Sequence, residues 1–128
     1  MTLSIPDKWR WFTESRYGLF LHWGPYAAHG RGEQVLFREH LDPREYEAEY
    51  REALTALARS GRVLEINSRL PLDPVLVRWW HEVGGDAVSF GSDAHTPDGV
   101  GRGFVEATAV AEAAGFRRGA DRFDLWRR

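Results

Sequence analysis

The sequence predicts an α/β fold, a partial (half) βα-barrel-like unit with about three parallel strands and three to four helices. Three short apolar runs are bounded by glycine or polar residues, as buried strands are. Three other segments open with an N-cap residue followed by proline, which is typical of helix starts. Strands that alternate with helices form parallel sheets through right-handed crossovers. The 128 residues suit one domain, residues 1–128, and fall well short of the roughly 250 residues of a closed eight-stranded barrel.

The amino-terminal part is predicted to contain a short helix, one strand and a long loop. The helix is expected from Pro6 to Glu14, with Trp9 and Phe12 facing inward. The first parallel strand is predicted near Leu19–His22. Residues 23–41 then form a long irregular stretch, and loops of that length in compact domains are usually functional or mobile.

The second helix is predicted to open at Asp42 and Pro43, an N-cap residue followed by the first helical position. Glu45 stands at the capping-box position, and Gly61 offers a C-cap. Apolar residues recur between these ends at helical spacing: Tyr46, Tyr50, Ala53, Leu54, Leu57 and Ala58. The second parallel strand follows near Val63–Ile66.

The third helix is predicted to open at Asp73 and Pro74 and to end at Gly84. Its apolar positions make one stripe, which consists of Leu76, Trp79, Trp80 and Val83. On this periodicity Trp79 and Trp80 are predicted to be core and rim residues rather than a platform on which a ligand stacks.

The third parallel strand is predicted near Val88–Phe90, and the last helix is predicted to run from Thr96 and Pro97 to Gly115. Three parallel strands leave two open sheet edges, which proteins normally cover, pair or close off. Either further strand residues lie in Gln34–Phe37, or a second copy of the chain pairs with the edge. A homo-oligomer is therefore one expected partner arrangement.

Composition excludes several function classes. Seventeen Lys and Arg against nineteen Asp and Glu leave a net charge of −2, which gives no electrostatic footprint for nucleic acid or an anionic membrane. The absence of cysteine excludes disulfides, thiolate metal sites and a cysteine nucleophile, so a metal would have to be held by histidine and carboxylates. No apolar run has the about 20 residues of a membrane helix and no signal-peptide core is visible, so a cytoplasmic location is expected.

Two polar clusters follow predicted strands, at the position where α/β proteins place functional residues. His22 follows the first strand, and Asp93 and His95 follow the third. An Asp and a neutral imidazole spaced in this way can coordinate one divalent cation, which would supply a nucleophilic hydroxide. Alternatively, Asp93 and Thr96 cap the next helix and His95 is a solvated loop residue. Two ligands do not close a metal site, so these residues by themselves favour the second interpretation.

Residues 46–128 resemble the carboxyl-terminal part of PHP-domain proteins, the polymerase-and-histidinol-phosphatase superfamily. The resemblance lies in the runs Val63–Asn67, Pro71–Pro74, Val88–Pro97, Gly101–Phe104 and Phe123–Trp126, of which the Gly-Ser-Asp-Ala-His block is the most specific. It implies a distorted seven-stranded barrel that hydrolyses phosphate esters, with Asp93 and His95 as ligands of a divalent metal such as Mn, Zn or Fe. The family's opening His-x-His and its middle Glu and His ligands have no counterpart here, so the implied metal site is incomplete.

Residues 6–46 are similar to the start of the catalytic barrel of family 29 glycoside hydrolases, the α-L-fucosidases. The similarity is carried by Trp11–Phe12, Arg16–Tyr26, Gly32–Glu33 and Phe37–His40. It implies that His22 and Glu33 contact sugar hydroxyls. The family's nucleophile and general acid lie in strands that have no counterpart here, although retaining glycosidases need two carboxylates about 5 Å apart. Judged from the residues alone, His22 is equally well a half-buried hydrogen-bonded residue and Glu33 a solvated charge.

Three functions follow from these observations. The first is a metal-dependent phosphoesterase that uses Asp93 and His95 and takes further ligands from His22, His29 or a second subunit. The second is a fucose-binding or fucosidase-like glycoside hydrolase that uses His22 and Glu33. The third is a catalytically silent fragment derived from a hydrolase. A phosphate ester or a fucoside is thus the expected small-molecule partner, and we expect little or no turnover from the isolated monomer because each site lacks essential groups.

Overall fold

The computed structural model describes residues 7–16, 39–40, 42–121 and 124–128. These residues form α1 (Asp7–Ser15), α2 (Glu47–Arg59), β1 (Leu64–Asn67), α3 (Pro74–Glu82), β2 (Ala87–Gly91), α4 (Phe104–Ala113) and β3 (Trp126–Arg127), with 3-10 turns at Pro43–Tyr46 and Pro97–Gly99. The number of helices agrees with the prediction. None of the helices in the described ranges is long and apolar enough to cross a membrane.

The sheet has three strands in the order β1-β2-β3, and only its first pair is parallel. Leu64 lies opposite Val88 and Asn67 lies opposite Gly91, with α3 as the crossover between the two strands. The predicted parallel pairing of these two segments is confirmed. The predicted strand near Leu19–His22 lies outside the described residues. Of the three expected parallel strands, the other two lie in the described part of the chain, and they are parallel.

The third strand of the observed sheet was not predicted. β3 is antiparallel to β2, with Trp126 opposite Val88. The N–H of Arg127 also donates to the carbonyl oxygen of Arg117 at 2.9 Å. A two-residue strand has no alternation that a sequence could display, and it forms only because the chain returns to β2. The described part of the protein is therefore a mixed α/β unit.

The predicted capping residues open a 3-10 turn at Pro43–Tyr46, and helix α2 itself begins directly after it at Glu47. The Asp42 carboxylate accepts a hydrogen bond from the backbone N–H of Arg44 at 2.9 Å, and Pro43 opens a 3-10 turn that leads into the helix. This backbone hydrogen bond lowers the pKa of Asp42. A carboxyl with a lowered folded-state pKa contributes stability above its unfolded pKa and loses it as the pH falls through the folded value. The helix ends at Arg59, shortly before the predicted Gly61.

Helix α3 supplies the largest part of the core. Asp73 accepts a hydrogen bond from the N–H of Val75 at 2.8 Å, and Pro74 follows it, as predicted. Trp79 and Trp80 are 3% and 0% exposed, so both belong to the core. The Trp80 indole N–H donates to the carbonyl oxygen of Ala87 at 3.0 Å. Gly85 leaves room for this indole, since a Cβ there would lie 2.1 Å from the ring.

The predicted start of the last helix is wrong. Thr96 and Pro97 open only a 3-10 turn, and Thr96 makes no capping hydrogen bond with its side chain. Helix α4 begins at Phe104 because Gly101 and Gly103 adopt φ values of +75° and +76°, which interrupt a right-handed helix. The predicted end near Gly115 is correct, with Ala114 as C-cap.

Helices α2 and α4 each pack on α3, and α4 also packs on β2. The Arg51 guanidinium joins α2 to α3. It donates to Glu47 of its own helix at 2.6 Å and to Glu82 of α3 at 2.7 Å. It also lies 5.2 Å from the centre of the Trp79 ring, a cation–π geometry. These contacts close the core on the side of α2.

Two valines on helices provide a matched test of where the core lies. Val77 on α3 is 0% exposed, whereas Val105 on α4 is 79% exposed. We expect Val77→Ala to lower the free energy of unfolding by about 2 kcal/mol, since it removes buried methyl groups and leaves a cavity. Val105→Ala should change it by less than about 0.5 kcal/mol. Urea denaturation of both variants measures the difference, and equal effects would show that α3 is not the central helix.

Candidate functional site

The carboxyl ends of β1 and β2 lie side by side, with Asn67 opposite Gly91. Because the strands are parallel, the loops that follow them emerge at the same edge of the sheet. This edge, here called the carboxyl edge, consists of residues 68–73 after β1 and residues 92–103 after β2. Asp93 and His95 lie in the second of these loops, where the sequence predicts a site.

Asn67 shapes the loop after β1. Its side-chain oxygen accepts hydrogen bonds from the backbone N–H groups of Arg69 at 2.9 Å and Leu70 at 3.0 Å. A side-chain amide that satisfies two successive N–H groups forms a tight turn at the end of the strand. The turn determines the position from which the Arg69 side chain leaves the backbone.

Ser68 ties the two loops together. Its N–H donates to the carbonyl oxygen of Gly91 at 2.8 Å, and its hydroxyl donates to the carbonyl oxygen of Arg102 at 2.6 Å. The absence of a side chain at Gly103 permits this approach, since a Cβ there would lie 3.1 Å from the Ser68 carbonyl oxygen. The loop after β2 is thereby held against the loop after β1.

Asp93 has a backbone φ of +45°, a left-handed conformation that is uncommon for residues other than glycine but is tolerated by aspartate. The loop turns sharply at this residue. As a result, the imidazole Nδ1 of His95 lies 2.8 Å from the carbonyl oxygen of Asp93. The two residues that the sequence singled out therefore lie together.

Arg69 lies between them, and we call Arg69, Asp93 and His95 the edge cluster. The Arg69 Nη1 atom is 3.2 Å from the Asp93 carbonyl oxygen and 3.6 Å from the Asp93 carboxylate Oδ2. The same atom contacts Nδ1 of His95 and lies 3.4 Å from its Nε2. A guanidinium only donates hydrogen bonds, so Arg69 is the donor in any hydrogen bond of this cluster in which it takes part.

The edge cluster is accessible to solvent. The Arg69 and Asp93 side chains are 52% and 47% exposed. An ion pair at such a surface contributes at most about 1 kcal/mol to folding. The turns of the two loops therefore determine the position of the edge cluster more than the attraction between its charged side chains does.

The residues of the edge cluster do not by themselves make a metal site. Asp93 and His95 present two suitable donor side chains, whereas a catalytic zinc needs three protein ligands. Within the described ranges no group of three or more His, Cys, Asp or Glu side chains could hold a metal ion. The position between the two donors is taken by the Arg69 guanidinium.

The other predicted site residues lie outside the described part of the chain. This applies to His22 and Glu33, the expected sugar contacts, and to His29, the alternative metal ligand. The expectation that His22 shares a cleft with Asp93 therefore remains a prediction. In the described residues His81, which lacks partners at ligand spacing, is half-buried, because its ring packs edge-on against Phe116 at 5.3 Å.

Sequence reasoning missed Arg69 and the two residues that position it, Asn67 and Ser68. A signal was present, since all three occupy the end of the second predicted strand or follow it directly. The rule that functional residues follow the carboxyl ends of parallel strands applies to every strand of a sheet. Applied to β1 as well as β2, it would have identified Arg69.

Comparison of the chain with models of protein families, with curated protein sequences and with solved structures finds no match. A proposal for the function of this chain therefore rests on the geometry of the carboxyl edge. The carboxyl edge offers one cation that contacts one carboxylate and one imidazole, on a loop pair joined by Ser68.

Substitutions of Asn67 test whether its side chain builds the carboxyl edge. Asn67→Ala removes the acceptor of two backbone N–H groups and should lower the free energy of unfolding by about 1–2 kcal/mol. Asn67→Asp keeps the accepting oxygen and should recover most of this loss. Thermal or urea unfolding of the two variants makes the comparison. Equal destabilisation by alanine and aspartate would contradict the role of the side-chain oxygen.

Proposed function

We propose that this chain is a hydrolase-derived protein whose carboxyl edge is that of a PHP-type, histidinol-phosphatase-like phosphoesterase with an incomplete metal site. The observation that carries the proposal is the meeting of Asp93 and His95 beside the loop after β1. These are the two residues to which the resemblance assigns metal ligation. Arg69 precedes Asp93 by 24 residues and His95 by 26 residues in the sequence, so it is the fold that brings the three residues together.

The proposed ligand of the edge is a phosphate ester. Its anionic group would interact with the Arg69 guanidinium, which carries a positive charge at every relevant pH. A metal would supply an activated hydroxide when bound, and it would need ligands beyond Asp93 and His95, from His22, from His29 or from a second subunit. Because the edge cluster alone does not provide them, we propose binding with little or no turnover for the isolated monomer.

The proposal includes the half-barrel. In it, the segment near Leu19–His22 forms a parallel strand beside β1 and brings His22 to the carboxyl edge. Two facts support the idea: β1 is one of the two outer strands of the described sheet, and bare outer strands are normally covered. A second copy of the chain is the other candidate to cover the same edge.

Hydrogen exchange tests whether the outer edge of β1 is covered. The N–H of Ser68 points to β2, so by the two-residue alternation of a strand the N–H groups of Glu65 and Asn67 point away from it. We expect both to exchange slowly in the full chain, with the N–H of Ile66 as the internal reference. Exchange of Glu65 and Asn67 at the rate of free amides would contradict the half-barrel. Protection that disappears on dilution would identify a second copy as the cover.

Titration with phenyl phosphate, followed by amide chemical shifts, tests the proposed ligand class. We expect the amides of Arg69 and of residues 92–95 to shift, because these residues surround the guanidinium. Arg69→Gln should weaken binding by about tenfold or more, since a charge-assisted hydrogen bond contributes about 1.5–3 kcal/mol. Arg62→Gln, a change of an exposed arginine outside the carboxyl edge, is the matched control for net charge.

Other outcomes of that titration have definite meanings. Shifts caused by L-fucose and abolished by His22→Ala would favour the α-L-fucosidase-like function instead. No shift with either compound would favour the catalytically silent fragment. Metal-stimulated hydrolysis of phenyl phosphate that both Asp93→Ala and His95→Ala abolish would show that the metal site is complete and that the expected lack of turnover is wrong.

A further inference from the structure

Three electron-pair donors converge on one atom of the edge cluster. The Nη1 atom of Arg69 faces the Asp93 carboxylate oxygen at 3.6 Å, the Asp93 carbonyl oxygen at 3.2 Å and a ring nitrogen of His95. Carboxylate, carbonyl and imidazole are the donor types with which proteins hold divalent cations. A simple surface ion pair would involve only the carboxylate.

We infer that the Arg69 guanidinium occupies the cation position between Asp93 and His95, so that a side chain of the protein substitutes for a metal ion. The inference stands on the contacts of these three residues. It does not require that the chain bind a phosphate ester or derive from a phosphoesterase.

The local structure favours the guanidinium over a free ion. Asn67 accepts a hydrogen bond from the backbone N–H of Arg69, so the arginine leaves the strand end from a defined turn. A tethered cation competes at a high effective concentration with ions from solution. Its charge is permanent, because a guanidinium is not deprotonated in proteins.

A metal ion and the Arg69 guanidinium cannot lie between Asp93 and His95 at the same time. A zinc ion lies about 2.0–2.2 Å from its oxygen and nitrogen ligands, closer than Nη1 lies to either Asp93 oxygen. The ion would use the same lone pairs that now face the guanidinium, and the two positive charges would repel each other. Arg69 must therefore leave before Asp93 and His95 can bind zinc, and it lowers the affinity of the pair for the metal.

The test compares zinc binding by the full chain with binding by three variants, measured by titration calorimetry at neutral pH. We expect Arg69→Gln to raise the affinity for zinc tenfold or more, because it frees the two donors. The control Arg62→Gln removes the same charge from an exposed site outside the carboxyl edge and should leave the affinity unchanged. Adding His95→Gln to Arg69→Gln should abolish the gain, since the imidazole is then missing.

Three results would overturn the inference. They are equal zinc affinity of the wild-type chain and Arg69→Gln, a gain that survives the loss of His95, and an equal gain in Arg62→Gln. If Arg69→Gln does not fold, Arg69→Ala, which also removes the cation, replaces it. A wild-type melting temperature that rises with zinc and falls with a chelator would likewise contradict an arginine in the cation position.

The phenyl phosphate titration fails or succeeds independently of these measurements. A chain that binds no phosphate ester could still gain zinc affinity when Arg69 is replaced. Conversely, phosphate binding without any change in zinc affinity would support the proposed function and reject the cation position.

Discussion

Trp80 is completely buried, and its indole N–H donates to the carbonyl oxygen of Ala87, the first residue of β2. This contact joins the crossover helix α3 to the strand that follows it. It holds β2 at the level where Leu64 faces Val88 and Asn67 faces Gly91. The carboxyl edge exists because these two strand ends coincide, and the contacts of Arg69 with Asp93 and His95 depend on that register.

The two loops of the carboxyl edge are joined mainly by hydrogen bonds that Ser68 donates to backbone carbonyl oxygens. Ser68 bridges the carbonyl oxygens of Gly91 and Arg102, and Asn67 closes the turn from which Arg69 extends. Such contacts are uncharged and insensitive to salt, unlike exposed ion pairs. The scaffold can therefore hold Arg69, Asp93 and His95 together even though all three residues are exposed.

Two of the arginines that join neighbouring elements in the described residues are Arg51 and Arg69. Arg51 connects α2 and α3 through Glu47 and Glu82, and hydrogen bonds to these carboxylates raise its pKa. Arg69 connects the loops after β1 and β2 through Asp93 and His95. The partners differ: Arg51 contacts two carboxylates and a tryptophan ring, whereas Arg69 contacts one carboxylate and one imidazole.

The sequence by itself determined the features that depend on neighbouring residues. Asp73 with Pro74 starts its helix as expected, and Asp42 with Pro43 starts the 3-10 turn that leads into α2, because a cap acts within one turn of the chain. The apolar runs became β1 and β2, and the strand-end rule located Asp93 and His95 at the carboxyl edge. At Thr96 the local signal was misleading, since the left-handed glycines that follow it delay the helix to Phe104.

Only the tertiary structure decided which residues meet across the sheet. Arg69 is separated by 24 residues from Asp93 and by 26 from His95, so no spacing in the sequence displays their contact. The pairing of Trp126 with Val88 is likewise a long-range contact between a two-residue strand and the middle of the sheet. Capping and periodicity are local effects of the backbone, whereas the edge cluster requires the parallel register that the buried core around Trp80 imposes.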